Sequence, residues 1–522
     1  MRRQARTRTA VTAGVAVLTF LTGCAPGLAA NPKFATDSAS NPGAAPTTGN
    51  SAAGAPEFLA PKSDLVWNNC SAKGFRDAGA KPMPGVSLEC AEYEADLDPV
   101  TGATGTVTIG AMRARSAQTP PDASPLVFTT GSDLPSSLQL PVWLTRSGGD
   151  VLAQHPIVAV DRRGIGLSSP IDCRDEFDRK QMRDQAQFDP GDDPVANLGA
   201  ATLTATTGCT DALAPGDSAY DNARAAEDLE RLRSTWEVPA LALVGIGNGA
   251  QVALAYAGSH PEKVARLVLD SPVPPGAGAE AFAEDQVKAQ QSSLDAFAAQ
   301  CSAANCVLGP DPKGAVDALL SAARAGRGPG GLSVAVLTDA ITTALGYPSG
   351  DPITSTVKLA DALAAARGGD INQLNSLVNQ ANALRGTDGQ FVNSCSDSLN
   401  RPSPDRVREL VVAWGKTYPQ FGTVAALNLV KCLNWPSGTA PKDPKDLKTN
   451  ALLLGVQNDP IAGSQGVAAA AATMLNAGAT SKRVMWQGTG HGAMIYTSCA
   501  MPPLLSYLGS GALPQTDTFC PA

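Results

Sequence analysis

Two residues in this chain have the types and surroundings for proton transfer. Asp459 follows the apolar run at 451–456, and His491 stands between Gly490 and Gly492 just after the run at 483–486. An acid and then a histidine, each at the end of an apolar run, suit acyl transfer. The carboxylate fixes the imidazole tautomer, and the imidazole moves the nucleophile's proton. The chain has only three histidines; His155 and His260 each precede a proline, and His260-Pro261-Glu262 reads as a helix-ending surface loop. The nucleophile belongs upstream, in Gly245-Ile246-Gly247-Asn248-Gly249. Both outer glycines of a Gly-x-Ser-x-Gly turn are present, but the serine position is Gly247. Glycine has no side chain to attack with. The backbone N–H of Asn248 would face a developing oxyanion, and its amide is not a nucleophile of this class. Ser168, Ser169 and Ser271, at other strand ends, read as turn and cap hydroxyls.

These residues need a scaffold that presents them together. The apolar run 240–244, the glycines and the alanine-rich 250–258 predict strand, sharp turn and helix. Residues 87–97 and 106–113 predict a hairpin, and 126–128, 157–160 and 267–270 predict buried strands. Residues 223–236 predict a helix with Ala225, Leu229 and Leu232 on its apolar face. Strands alternating with helices imply a mostly parallel sheet with helices on both faces. Between 275 and 446 helical segments dominate, at 280–301, 312–325, 334–345, 353–366 and 404–414. Strands then resume at 451–456 and 483–486. The expected organisation is an α/β core over 62–274 and 447–522, split by a helical cap over 275–446.

Residues 1–23 predict a signal peptide: Arg2, Arg3, Arg6 and Arg8 precede an apolar stretch too short to span a membrane. Leu21-Thr22-Gly23-Cys24 resembles a lipobox, which makes Cys24 the expected lipidation site and membrane anchor. Residues 24–61 predict a flexible tether rich in Ala, Gly, Pro and Ser. Ten other cysteines remain: Cys70, Cys90, Cys173, Cys209, Cys301, Cys306, Cys395, Cys432, Cys499 and Cys520. An even number in an exported chain suggests disulfides. Sequence does not fix their connectivity; neighbour pairing is the simplest choice. Metal binding is disfavoured by wide spacings and scarce histidine. A net charge of −8 without a basic stripe argues against nucleic acid.

Several further stretches resemble one family. They are Asp161-Arg162-Arg163-Gly164-Ile165-Gly166 with Cys173, residues 222–229 before the glycine turn, residues 266–272 after it, and Gly490-His491-Gly492 with Cys499, residues 507–514 and Cys520. Together they resemble the secreted actinobacterial tripeptidyl- and prolyl-aminopeptidase-like α/β-hydrolases, including mycobacterial lipoprotein serine peptidases. The resemblance covers roughly residues 67–272 and 447–520; the cap matches in placement only. It implies the α/β-hydrolase fold, no cofactor, a monomer and Ser-His-Asp chemistry. By position, Asp459 is the orienting acid, His491 the general base and Gly247 the emptied nucleophile slot. The family's Gly-Gly-Pro-Gly turn is here Thr130-Gly131-Ser132-Asp133, so Gly131, Ser132 and Asn248 form the expected oxyanion region. An aspartate there would oppose a developing anion. The resemblance also supports several of the neighbour disulfides.

The expected function is a catalytically degenerate exported lipoprotein that binds a peptide or other envelope ligand in its cleft. The alternatives are an active hydrolase in which His491, oriented by Asp459, activates water, and a structural envelope lipoprotein. A void between Gly247 and His491 would leave room for a ligand; a filled space would exclude one there. Gly247→Ser is expected to restore reactivity toward serine probes at least partly.

Overall fold

The computed structural model describes residues 54–185 and 191–522. The signal segment, Cys24 and most of the tether lie outside the described residues. Short strands β1 (Asn68–Asn69), β2 (Val86–Asp98) and β3 (Ala103–Ser116) form an antiparallel edge. Strands β4 (Leu126–Thr129), β5 (Ile157–Val160), β6 (Leu241–Ile246), β7 (Val264–Asp270), β8 (Ala451–Asn458), β9 (Ser481–Thr489) and β10 (Thr518–Cys520) run parallel to one another. The ten form one sheet in the order β1-β2-β3-β5-β4-β6-β7-β8-β9-β10. The predicted hairpin and each predicted strand are present. β1 and β10 have no counterpart in the sequence reading, because two- and three-residue strands carry almost no periodic signal.

Alternation along the central strands decides which helices they hold. Leu241 and Leu243 of β6 face one side, while Ala242, Val244 and Ile246 face the other. Both sides are covered, which is why the run is apolar throughout. Helices Asn222–Trp236, Asn248–Ser259 and Gly466–Asn476 pack on the first face. Helices Ser136–Trp143, Gly149–Gln154 and Met501–Ser510 pack on the second. Each fully buried leucine contributes roughly 1.5–3 kcal/mol. Helix Asn222–Trp236 starts where the Asp221 side chain accepts the Arg224 N–H, and it ends at Glu237 in the left-handed region. Its predicted stripe of Ala225, Leu229 and Leu232 is buried.

Between β7 and β8 the chain forms a helical insertion with its own apolar core, which includes Leu294, Leu320, Leu337 and Leu363. The five predicted helices are there. Asn372–Arg385, Asp388–Asp397 and Gly422–Asn428 have no counterpart in the sequence reading. Helix Pro194–Leu213, which precedes β6, sends Val195 and Leu198 into this second core. Five disulfides join sequence neighbours: Cys70–Cys90, Cys173–Cys209, Cys301–Cys306, Cys395–Cys432 and Cys499–Cys520. Among the described residues no helix is long and apolar enough to cross a membrane.

Candidate active site

The glycine turn is a sharp elbow from β6 into helix Asn248–Ser259, with Gly247 at φ 57° and ψ −120°. That conformation strains any residue with a Cβ, and glycine adopts it freely. The outer glycines serve close approach. A Cβ on Gly249 would overlap the Thr129 carbonyl oxygen, and one on Gly245 would overlap that of Gly249. The turn expected of a nucleophile elbow is therefore retained without the nucleophile.

Asp459, fully buried, follows β8, and its Oδ1 accepts the N–H groups of Ile461 at 2.9 Å and Ala462 at 3.0 Å. Its carboxylate meets His491 Nδ1 at 3.1 and 3.0 Å. His491, also buried, lies in the loop after β9. That loop is fixed from beneath: Asp270, at the end of β7, accepts the Ala493 and Met494 N–H groups, each at 2.8 Å. The Ser271 hydroxyl accepts the Gly492 N–H at 3.2 Å, and Ser168 binds the Asp161 carbonyl and the Gly110 N–H. Both serines have structural partners, in keeping with turn hydroxyls. The His491 N–H donates to the Gly346 carbonyl of the insertion at 2.8 Å.

A side chain at 247 would point at the imidazole, since a Cβ there would lie 2.7 Å from both Cε1 and Nε2 of His491. The space is taken. The Asp133 carboxylate occupies it, and its Oδ2 would overlap that Cβ. The same oxygen accepts the Asn248 N–H at 2.7 Å and stands 3.4 Å from His491 Nε2. The last contact is an ion pair; Nε2 has no hydrogen-bond partner among the described residues. Of the two outcomes open between Gly247 and His491, the space is filled, which excludes a ligand there, and the expectation that Gly247→Ser alone restores reactivity is corrected. A serine side chain would collide with Asp133.

The oxyanion region is occupied too. Asn248 N–H is spent on Asp133, and Ser132 N–H donates to Asn248 Oδ1 at 2.9 Å. Gly131, at φ 58°, lets this loop lie against the elbow, because a Cβ there would overlap Asn248. Gln390 of the insertion holds the loop from above, its Nε2 donating to the Asp133 carbonyl at 2.9 Å.

Two carboxylates flanking one ring change its charge. Burial would depress the His491 pKa; the Asp459 charge foremost, with Asp133, reverses that and raises it to about 10. At neutral pH the ring is imidazolium, and an imidazolium cannot act as a general base.

Further neighbours border the site. Tyr347, just after helix Val334–Gly346, meets the His491 ring edge-on at 5.7 Å between centroids. Its buried hydroxyl has no hydrogen-bond partner among the described residues. Arg162, from the Asp161-Arg162-Arg163 motif, donates to Asn248 Oδ1 at 2.8 Å and to Asn222 Oδ1 at 3.0 Å. It also pairs with Asp397 of the insertion at 2.6 Å. The motif was visible in the sequence; the partners were not, because they come from distant segments.

Residues 418–520, which carry both Asp459 and His491, match the family model Abhydrolase_4, TAP-like protein. Serine protease Hip1 of Mycobacterium tuberculosis (strain ATCC 25618 / H37Rv) is 30% identical over 164 residues, 31% of this chain and 32% of the relative. Serine protease Hip1 of Mycobacterium bovis matches to the same extent. The match spans about a third of the length of these relatives. Among solved structures, esterase E22 superposes with a TM-score of 0.37 at 11% identity, covering 81% of this chain and 99% of that one. A bacterial membrane phospholipase A gives 0.35 at 14% identity, covering 84% and 89%. Superpositions that loose carry no weight here; the fold is read from the strand order, the elbow, and the acid and histidine that follow β8 and β9. On that architecture the chain has the α/β-hydrolase fold; its residues 418–520 match the TAP-like model, and over 164 residues it is similar to the Hip1 serine proteases.

Proposed function

We propose that this chain is an exported, lipid-anchored α/β-hydrolase homologue that has lost serine-dependent acyl transfer. The observation that carries this reading is the Asp133 carboxylate in the nucleophile slot, bound to the Asn248 N–H. One residue thereby removes room for a nucleophile at 247 and takes the donor that would stabilise a tetrahedral oxyanion. Direct activation of water by His491 is disfavoured by the same geometry, since Nε2 faces a carboxylate and the ring is charged. Export and anchoring rest on the arginine-rich start and on Leu21-Thr22-Gly23-Cys24. The five disulfides fit an oxidising compartment. A peptide or other envelope ligand would have to seat outside the filled slot, against the insertion.

The test is turnover by purified protein on tripeptidyl anilides and p-nitrophenyl esters, together with fluorophosphonate labelling. No turnover and no labelled serine are expected. Hydrolysis abolished by His491→Ala, or a labelled serine, overturns the reading.

A further inference from the structure

One corner of the insertion holds cations that the protein itself does not fully use. Arg385 ends helix Asn372–Arg385, and Lys431 lies in the 3₁₀ turn Leu429–Cys432. Covalent and ionic links bring the two together. Cys432, next to Lys431, is bonded to Cys395 of helix Asp388–Asp397, which begins just after Arg385. Arg174 reaches the same corner: its Nε binds Asp388 Oδ1 at 2.9 Å, and its Nη2 donates to the Gly386 carbonyl at 3.3 Å. Arg179 pairs with Asp388 as well, at 2.8 Å. Asp388 is thus spent on two arginines.

Arg385 and Lys431 are left with one carboxylate. Arg385 Nη1 stands 3.4 Å from Asp339 Oδ1, and its Nε and Nη2 donate to nothing among the described residues. That free edge is the fork that grips a carboxylate with two parallel bonds. The Lys431 ammonium has no hydrogen bond or ion pair among the described residues. Burial foremost lowers its pKa; Asp339 opposes this, Arg174 and Arg385 reinforce it, and the group ends at about 8. It is still charged at neutral pH. Both side chains are half-buried, so a solute can reach them where salt screens poorly. An ammonium held among other cations without a counter-ion is costly to keep, and it points to an anion supplied from outside. The corner adjoins the elbow without entering the filled slot. Gln390 Nε2 donates both to the carbonyl of Leu384, beside Arg385, at 2.6 Å and to that of Asp133 at 2.9 Å.

We propose that Lys431 and Arg385 form a subsite for a carboxylate, carried by a small organic acid or by the C-terminus of a short peptide. This goes beyond the loss of acyl transfer, and rests on the reading above only in placing the ligand outside the slot and against the insertion.

Charge selects the class. Two cations share Asp339, so one negative charge is missing, which a carboxylate supplies; a phosphate dianion would bring a second charge up to Asp339. A lipid headgroup is disfavoured because helix Val334–Gly346, helix Asn372–Arg385 and the turn Leu429–Cys432 show no exposed large apolar side chain among the described residues to hold acyl chains.

The experiment is trace acetylation of purified full-length protein by acetic anhydride at pH 8, read lysine by lysine by mass spectrometry. The probes are butyrate, acetyl-trialanine, acetyl-trialanine amide and inorganic phosphate. A bound carboxylate should hold the Lys431 proton and slow its acetylation about 10-fold, while exposed Lys416 is unchanged. The amide should not protect. Arg385→Gln should abolish protection of Lys431. By calorimetry, Lys431→Met should weaken acetyl-trialanine binding about 10-fold or more, and Lys431→Arg should stay within a few-fold of wild type. Lys431→Met should unfold no earlier than wild type, because the ammonium has no partner to lose; if it fails to fold, Arg385→Gln carries the test. Protection by butyrate alone assigns a small acid, by the peptide acid alone a C-terminus, and by both a general carboxylate subsite. The proposal is overturned if neither acid protects Lys431, if the amide protects as well as the acid, if phosphate protects more strongly than both acids, or if Arg385→Gln retains full protection. Cleavage of acetyl-trialanine is a separate outcome: it would refute the loss of acyl transfer and leave the subsite standing.

Discussion

Asp133 and Gly247 are complementary: the carboxylate of one stands where the side chain of the other would begin. Neither feature is self-explanatory alone. A glycine at the elbow leaves a hole beside a charged ring, and an aspartate in the oxyanion turn would repel a transition-state anion. Together they make a packed site in which one charged ring lies between two carboxylates.

Serine chemistry should therefore return only when both positions are reversed. Gly247→Ser alone should remain silent toward fluorophosphonates, because its side chain meets Asp133. Gly247→Ser with Asp133→Gly should label, about 10²–10³-fold faster than the single variant, since it also frees the Asn248 N–H. Adding His491→Ala should abolish the labelling. Equal labelling of single and double variants would show that Asp133 does not block the slot.

Stability should fall at alkaline pH. The folded His491 pKa, about 10, lies above its ordinary value of 6.5. Its contribution is fully present below pH 6.5 and is lost as pH rises toward 10, on the order of a few kcal/mol across the window. Buried Asp270 is raised too, to about 6, so the last part of its titration adds a small fall in the same direction just above pH 6. Urea unfolding at pH 6 and pH 9.5 measures the fall. Asp133→Asn should shift it to lower pH, because one of the two carboxylates that hold the proton is gone. A flat profile in wild type would mean that the ring is not charged.

Gly249→Ala should be among the most damaging single-methyl additions. The new Cβ would overlap the Thr129 carbonyl oxygen of β4, and backbone cannot rotate away. A loss of about 3 kcal/mol or more is expected from overpacking of this kind. Thermal unfolding beside Gly149→Ala, where a Cβ meets nothing, is the comparison.

Cys24→Ala should release the protein from membranes or leave its precursor uncleaved, as judged by fractionation and intact mass. Unchanged retention would argue against a lipid on that residue.

The acid and the histidine were legible in the sequence because each follows an apolar strand and is flanked by turn residues. The elbow was legible because its glycines are spaced one residue apart. The resident of the slot was not. Asp133 could be seen as an awkward neighbour of an oxyanion, but its insertion beside Gly247 depends on how the turn after β4 folds over the elbow. Tyr347, Gln390 and Asp397 sit on the insertion, where helical periodicity reports burial and says nothing about which side chains overhang the sheet.

The Arg162–Asp397 pair makes the insertion a bolted cover. Arg162 is fully buried and serves the elbow and the insertion at once. Swinging the insertion outward would strand a guanidinium without its counter-charge, at about 3–5 kcal/mol. A hinge with that resistance is closed nearly all the time. Molecules small enough to slip past a shut cover have a kinetic advantage over any chain that must lift it.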